Sequence, residues 1–265
     1  RIKGDVKMLS SIYFQLFLLI LIYFSIFFLI AVLKKDNSIV DIGWGLGYVY
    51  TANMALYLTN NYNLRSFFIT FIVTIWGLRL SYHIFKRNLG KGEDYRYAKW
   101  REEWDNFYLK SFLRVFMLQG ILLFIISTPI IKIISSPFQG LKIIDFVALL
   151  VWGIGFAFET VGDKQLREFK KKDESKKDGH VMKEGIWKYT RHPNYFGDAV
   201  VWWGYYLMAL AVSGGWKFIY SPIIMTYLLR YVSGVPLLEK RYADDEEYQE
   251  YAEKTPIFFP RFPKK

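Results

Sequence analysis

The chain has 265 residues, of which 53% are hydrophobic and 20% aromatic, and it carries a formal net charge of +11 and no cysteine. The missing cysteines exclude disulfides, thiolate nucleophiles and cysteine-ligated zinc sites. With only three histidines and no HExxH motif, the sequence also argues against a metal centre.

Apolar residues fall in seven blocks near twenty residues long, which is the length that an α-helix needs to cross about 30 Å of hydrocarbon. Lipid offers the backbone no hydrogen-bond partners, so such blocks predict spanning helices. The first block is too long for a cleaved signal peptide. We therefore expect an all-α, polytopic seven-transmembrane-helix bundle, as a single domain that starts at Met8. The predicted helices cover about 10–33, 39–59, 66–85, 112–131, 143–162, 195–213 and 217–235.

Basic residues concentrate in the third-to-fourth connection, the fifth-to-sixth connection and the tail, whereas "TNNYNLRS" and "SGGW" are nearly free of them. The positive-inside rule then predicts an N-terminus outside and a C-terminus in the cytoplasm, in a bacterial inner membrane or the endoplasmic reticulum. Orientation and anionic headgroups account for the charge, so nucleic acid is not an expected partner. The run "KKKDESKKDG" predicts a solvated loop, and 239–265 a cytoplasmic cap.

Ionisable residues inside the second and third spans are functional candidates, because each is costly in a membrane unless it is paired or faces a cavity. Asp41 enters the second span, and interfacial snorkelling explains it as well as function does. Arg79 and His83 lie four apart on one helix face with Tyr82 beside them. Here the alternative is an Arg79–Asp41 pair that only fixes helix packing.

The fifth helix carries a polar stripe where it leaves the membrane. Glu159, Asp163, Leu166 and Lys170 recur at intervals of four, three and four residues. Two acids and a base on one stripe suit the hydroxyls and phosphates of a ribose-containing ligand. They equally suit a ladder of ion pairs along the helix.

The stretch "GIWKYTRHPNYFGDAVVWWG" places polar groups at the start of the sixth span. Pro193 is tolerated in a first helical turn. The free N–H groups of that turn attract anions, and Arg191 and His192 stand beside it. Beyond it, one face carries Asn194, Asp198 and Trp202. Interfacial anchoring explains the arginine and the tryptophan but not Asn194 and Asp198. The pattern favours a large anionic cofactor with an aromatic base.

These segments resemble a known family. The same stretch, with "FETVGDKQLREFK" before it and "SGVPLLEKRYADDEEYQEYAEKTPIFFP" after it, is similar to the DUF1295 branch of the steroid 5α-reductase-like membrane proteins, as is "GLRLSYHIFKR…GEDYRY". The resemblance covers roughly residues 38 to 262. It implies a seven-helix bundle that uses NADPH, bound on the cytoplasmic side, to reduce a carbon–carbon double bond conjugated to a carbonyl in a lipophilic substrate.

The resemblance also implies residue roles. Its cofactor-binding positions fall on Glu159, Asp163, Lys170, Tyr189, Asn194, Asp198 and Trp202. Beside these, Arg191, His192 and Lys170 are expected to neutralise the cofactor's phosphates, and Tyr195 is a further cofactor candidate. Arg96, Arg241 and Tyr251 are weaker candidates for closing the cytoplasmic mouth. The substrate half departs from the family: Asp41 lies near the place of its Gln–Glu pair, and Trp76 stands where it has a tyrosine. Arg79 does match a family arginine.

The expected mechanism is hydride delivery to the β-carbon of an enone or enoyl lipid while an acid polarises the carbonyl. Asp41 is the first choice of acid, His83 or Tyr82 the alternative, with Arg79 orienting the acid or acting as the electrophile. "RHPNYFG" and the "E…Y…Y…P" tail are shared with isoprenylcysteine carboxyl methyltransferase-like enzymes, which bind S-adenosylmethionine. That cofactor is therefore the alternative to NADPH.

Overall fold

The computed structural model describes residues 2–173 and 181–262, and no β-strand occurs among them. The helices are α1 (Ile2–Lys34), α2 (Ile39–Thr59), α3 (Leu64–Asn88), α4 (Tyr95–Glu103), α5 (Phe107–Ser111), α6 (Leu118–Ile134), α7 (Ile143–Asp173), α8 (Pro193–Ala209), α9 (Tyr220–Tyr227), α10 (Val235–Arg241) and α11 (Glu246–Lys254). Most of the predicted charge run "KKKDESKKDG" lies outside the described residues.

Four helical segments of the described chain are long and apolar enough to cross a membrane. The coarse prediction of an all-helical membrane protein is thus confirmed, whereas the seven-span count and the orientation stay predictions. At 17 residues, α8 is about 26 Å long, short of a hydrocarbon core. The four segments are Ser11–Lys34, Leu64–Asn88, Phe107–Ile134 and Ile143–Lys171.

The chain divides after Leu141 into two compact units. In the first, α2 packs against α1, α3 and α6. Leu16, Ile20 and Phe24, spaced four residues apart, bury one face of α1, while Leu33 at 83% exposure belongs to an apolar outer face. An apolar outer face is the surface that lipid covers in a membrane protein.

Two local features shape the helices of the first unit. Asn63 opens α3 with a capping box: its side chain accepts from Ser66 N at 3.0 Å, and Ser66 Oγ accepts from Asn63 N at 2.9 Å. A π-helical turn over Phe112–Met117 joins α5 to α6. Such turns insert one extra residue per turn and rotate the face that follows.

In the second unit, α8 packs along α7 and against α9. A single turn of 3₁₀ helix, Gly185–Lys188, precedes α8, and Pro193 occupies its first turn as predicted from the sequence. A π-helical segment over Leu228–Val232 follows α9 and leads to α10 and α11. The 3₁₀ turn therefore leads directly into the N-terminal end of α8.

Candidate cofactor site

Glycines bring α7 and α8 into backbone contact. A Cβ added to Gly155 would lie 2.6 Å from Val201 N, and one added to Gly197 would lie 2.5 Å from Gly155 O. Real Cβ atoms do not approach other atoms so closely, so both positions need glycine. The polar stripes of the two helices consequently face each other at short range.

Acidic and amide groups line this contact. Asn194 Nδ2 of α8 donates to Asp163 Oδ1 of α7 at 2.9 Å. Glu159, Asp163 and Asp198 are all buried, at 3%, 6% and 9% exposure. Asn194 Oδ1 is also buried, and no hydrogen-bond donor reaches it within the described chain. Three buried carboxylates and one amide therefore lie on two packed helices, where burial of apolar residues would cost less free energy.

Glu239 of α10 binds both residues that precede α8. His192, the N-cap residue, places Nε2 2.7 Å from Glu239 Oε1, and an Arg191 guanidinium nitrogen lies 3.2 Å from Oε2. Tyr248 of α11 donates its hydroxyl to the same Oε1 at 2.6 Å. The positive charge expected to face a cofactor phosphate is thus already opposed by a carboxylate.

The protonation states of this cluster follow from burial and neighbours. Burial lowers the pKa of His192 against the opposing effect of Glu239, and Arg191 and Arg230 lower it further. Burial would raise the pKa of Glu239, but hydrogen bonds from His192 and Tyr248 outweigh it and hold that pKa below its ordinary value. At neutral pH the pair is therefore a neutral imidazole beside an ionised carboxylate.

The C-terminal segment fastens the turn that carries these residues. Arg191 N donates to Pro256 O at 3.0 Å, Thr190 Oγ1 donates to Phe258 O at 2.8 Å, and Arg261 N donates to Tyr189 O at 2.9 Å. Phe258 is 2% exposed and packs with Ala199, Val235 and neighbouring apolar side chains. We call residues 255–262 the C-terminal strap.

The remaining predicted cofactor residues differ in burial and in the groups that they contact. Trp202 is fully buried against Tyr205. The Tyr195 ring stacks on the His192 ring, with 5.8 Å between the ring centroids. Tyr251 is buried and its hydroxyl donates to Trp187 O. Tyr189 is half-buried with its ring against Phe262, whereas the side chains of two predicted residues, Lys170 and Arg241, are exposed.

In the first unit, Asp41 is bound by residues of α4. Its Oδ2 lies 3.1 Å from an Arg96 guanidinium nitrogen, and its Oδ1 accepts from Tyr97 OH at 2.8 Å. Arg96 also pairs with Asp94 at 2.9 Å. Burial, with the Asp41 carboxylate beside it, raises the pKa of Tyr97 well above its ordinary value, so the phenol keeps its proton. Arg96, expected near the cofactor, thus belongs to the Asp41 cluster.

The other predicted catalytic residues lie on α3. Arg79 and His83 are half-buried, but Tyr82 is 59% exposed. Lys86 Nζ lies over the Tyr82 ring, 5.3 Å from its centroid. The three therefore do not share one environment. Trp76, at the position where the family has a tyrosine, is fully buried with its ring edge-on to Tyr48 at 5.6 Å.

One open groove of about 540 Å³ runs along α7. Its lining is apolar and lies between 146 and 157, so it is more than one helical turn from Asp163. The groove therefore does not coincide with the buried acidic stripe.

Two partners in these clusters, Glu239 and Tyr97, were not among the predicted site residues. Glu239 lies 47 residues from His192, and Tyr97 lies 56 residues from Asp41. Both occur in segments that were noted for their resemblance, "GEDYRY" and "SGVPLLEKRYADDEEYQEYAEKTPIFFP", but the local pattern does not show which distant residue each one contacts. A buried charge needs a partner, which implies that such partners exist but does not identify them.

Comparison with known proteins places the chain in a family. It is similar to an uncharacterised protein, C594.04c, of Schizosaccharomyces pombe, with 22% identity over 263 residues that cover 88% of this chain and 75% of the relative. No solved structure matches. The model of the family described as "Protein of unknown function (DUF1295)" matches residues 27–255. The chain is therefore a member of the DUF1295 family.

Proposed function

We propose that this protein is a membrane-embedded, NADPH-dependent reductase of a conjugated carbon–carbon double bond in a lipid or steroid-like substrate. One observation carries the proposal: Glu159, Asp163, Asn194 and Asp198 are gathered on the facing sides of α7 and α8, beside the N-terminal end of α8. The resemblance noted in the sequence supplies the reaction type.

The residues of this site fit a nucleotide cofactor. Carboxylates accept hydrogen bonds from ribose hydroxyls, and the unpartnered Asn194 Oδ1 is a further acceptor. Backbone N–H groups of the first turn of α8 are suited to a phosphate. Asp163, Asn194 and Asp198 would hold the sugar, and Arg191 would contact a phosphate if its bond to Glu239 were exchanged.

NADPH, when bound, supplies the hydride that reaches the substrate. The chain's own contribution is an acid that stabilises negative charge developing on the substrate carbonyl, an effect worth about 10²–10⁴-fold in rate. Asp41 remains the proposed acid. Both of its oxygens accept hydrogen bonds, from Arg96 and Tyr97, so acting on a substrate as an acid requires that the carboxylate first take up a proton and that one of these bonds be exchanged.

A second candidate is an S-adenosylmethionine-dependent methyltransferase. The observation that favours it is the Glu239 carboxylate, which already opposes the charge of Arg191. A site neutralised in this way suits a cofactor without phosphates better than one that carries several. The acidic stripe would serve the ribose of either cofactor.

The proposal is tested by titrating purified protein in detergent with NADPH and with S-adenosylmethionine. We expect saturable NADPH binding. In Asn194→Ala the dissociation constant of NADPH should rise about 10-fold or more, because a buried hydrogen-bonding group is lost. Asn53→Ala is the matched control, since Asn53 is an exposed amide on α2 that bonds to Val49 O. Binding of S-adenosylmethionine alone would support the methyltransferase, and binding of neither would refute both.

A further inference from the structure

His192 keeps one ring nitrogen that the fold does not use. Nε2 is engaged with Glu239 Oε1, while Nδ1 is buried without a hydrogen-bond partner among the described residues. His192 is the N-cap of α8, yet its side chain makes no capping bond to the helix. A buried polar atom without a partner is destabilising and calls for an explanation, such as a bound group.

The contact with Glu239 determines which nitrogen carries the hydrogen. An ionised carboxylate has no hydrogen to donate, so the hydrogen in the 2.7 Å contact belongs to Nε2. His192 is 2% exposed, and burial of this extent disfavours a second proton. Nδ1 therefore bears a lone pair and is a hydrogen-bond acceptor.

A second acceptor lies close by in the chain. Asn194 Nδ2 donates to Asp163 Oδ1, which leaves Asn194 Oδ1 as the unpartnered, buried atom. Two residues at the start of α8 thus each retain a buried atom that can only accept. Groups that donate hydrogen bonds would satisfy both.

We propose that His192 Nδ1 accepts a hydrogen bond from the cofactor, and that Glu239 is the positioning residue that holds this tautomer. The cofactor group at this point is a hydroxyl or an N–H, because a phosphate oxygen can only accept. This inference rests on the proposed function and revises one expectation: His192 recognises a donor on the nucleotide and does not neutralise its phosphates.

The tautomer is tested without any ligand by nitrogen-15 NMR of histidine-labelled protein. The chain contains three histidines, and His192→Gln identifies the resonance. At neutral pH we expect a pyridine-like Nδ1 and a protonated Nε2. A protonated Nδ1, or a doubly protonated ring, would overturn the proposal.

The acceptor role of Nδ1 is tested by two substitutions of His192, each of which removes one of its two hydrogen-bonding positions and keeps the other. His192→Gln places an amide near the Nε2 position, so it keeps the bond to Glu239 and loses the acceptor. His192→Asn places one near the Nδ1 position, so it keeps an acceptor and loses the bond to Glu239. We expect NADPH affinity to fall about 10-fold in His192→Gln and less in His192→Asn. Equal losses, or the reverse order, would contradict the proposal.

The donor is identified with NADPH analogues in the same titration. One replaces the carboxamide NH₂ by methyl, and another replaces the adenine amino group by oxygen. For the analogue that lacks the donor facing His192, we expect the wild-type protein and His192→Gln to bind with equal affinity. Additive losses with both assign the donor to a ribose hydroxyl. If wild-type protein binds neither NADPH nor S-adenosylmethionine, the proposed function and the donor fail together, while the nitrogen shifts still decide the tautomer.

Discussion

At the scale of single residues, the protonation of His192 makes the stability of the protein depend on pH. Its pKa is lowered by burial, so the unfolded chain takes up a proton before the folded chain does as the pH falls. Stability is then fully present above the ordinary histidine pKa of about 6.5 and is lost as the pH drops below it. Glu239, whose pKa is also lowered, adds a second loss below its ordinary value near 4.3.

The first prediction is that His192→Gln flattens this dependence. Glutamine keeps a donor for Glu239 but cannot take up a proton, so the fall in melting temperature between about pH 7 and pH 5 should become smaller. Thermal unfolding in detergent across that range, for wild type and variant, measures it. Parallel curves for the two proteins would show that His192 is not the titrating group.

Asp41 carries the second prediction. If it is the acid, Asp41→Asn should lower turnover by about 10²-fold or more while leaving the dissociation constant of NADPH unchanged. Asp36→Asn is a matched control, because Asp36 Oδ1 accepts from Ser38 N and an amide oxygen can replace it. Full turnover in Asp41→Asn would remove Asp41 from the mechanism without touching the cofactor site.

At the scale of helices, the α7–α8 contact depends on glycine. Gly197→Ala would place a methyl group against Glu159 N and Gly155 O, and such overpacking costs about 1–3 kcal/mol. Gly153→Ala is the control on the same helix pair, because no atom outside the adjacent backbone of its own helix lies within 4 Å of its added Cβ. We expect a lower melting temperature and weaker NADPH binding for Gly197→Ala only. Equal behaviour of both variants would refute the close contact.

The C-terminal strap gives the next prediction. Phe258→Ala empties a buried site, which destabilises by about 3 kcal/mol, and it loosens the turn that carries Arg191 and His192. Phe259, at 63% exposure, is the neighbouring control. Phe258→Ala should therefore lower both the melting temperature and NADPH affinity, and Phe259→Ala neither. Unchanged affinity in a folded Phe258→Ala protein would separate the strap from the site.

Helix periodicity and caps account for how much of the fold was predictable. The second predicted helix, 39–59, coincides with α2, and Pro193 correctly marks the start of α8. The π-helical segments at Phe112–Met117 and Leu228–Val232 were not predicted, because side-chain periodicity over one turn does not distinguish them from an α-helix. The bonds of the strap join residues more than sixty positions apart, and local patterns do not encode such pairs.

The same limit applies to the candidate site. Stripes on single helices predicted Asp163 and Asn194, and their hydrogen bond joins the two stripes. Glu239 was missed because its role depends on where α10 lies relative to α8, which follows from packing and not from spacing along the chain.

At the scale of the whole molecule, the orientation is open to direct measurement. The chain has no cysteine, so each introduced cysteine is the single reactive thiol. Tyr62 is 54% exposed in the α2–α3 connection, and Gly92 has open space around it in the α3–α4 connection. For the protein expressed in a bacterial inner membrane, the positive-inside rule predicts that a membrane-impermeant maleimide labels Tyr62→Cys in intact cells and labels Gly92→Cys only after permeabilisation. The opposite pattern would invert the topology.

The proposed function requires that α7 and α8 hold a nucleotide. A structure determined experimentally in the presence of NADPH tests it most directly. We predict density for the nucleotide beside Asp163 and Asn194, with a donor group within hydrogen-bond distance of His192 Nδ1. Density elsewhere, or an unchanged Asp163–Asn194 contact with no nucleotide beside it at saturating NADPH, would contradict it.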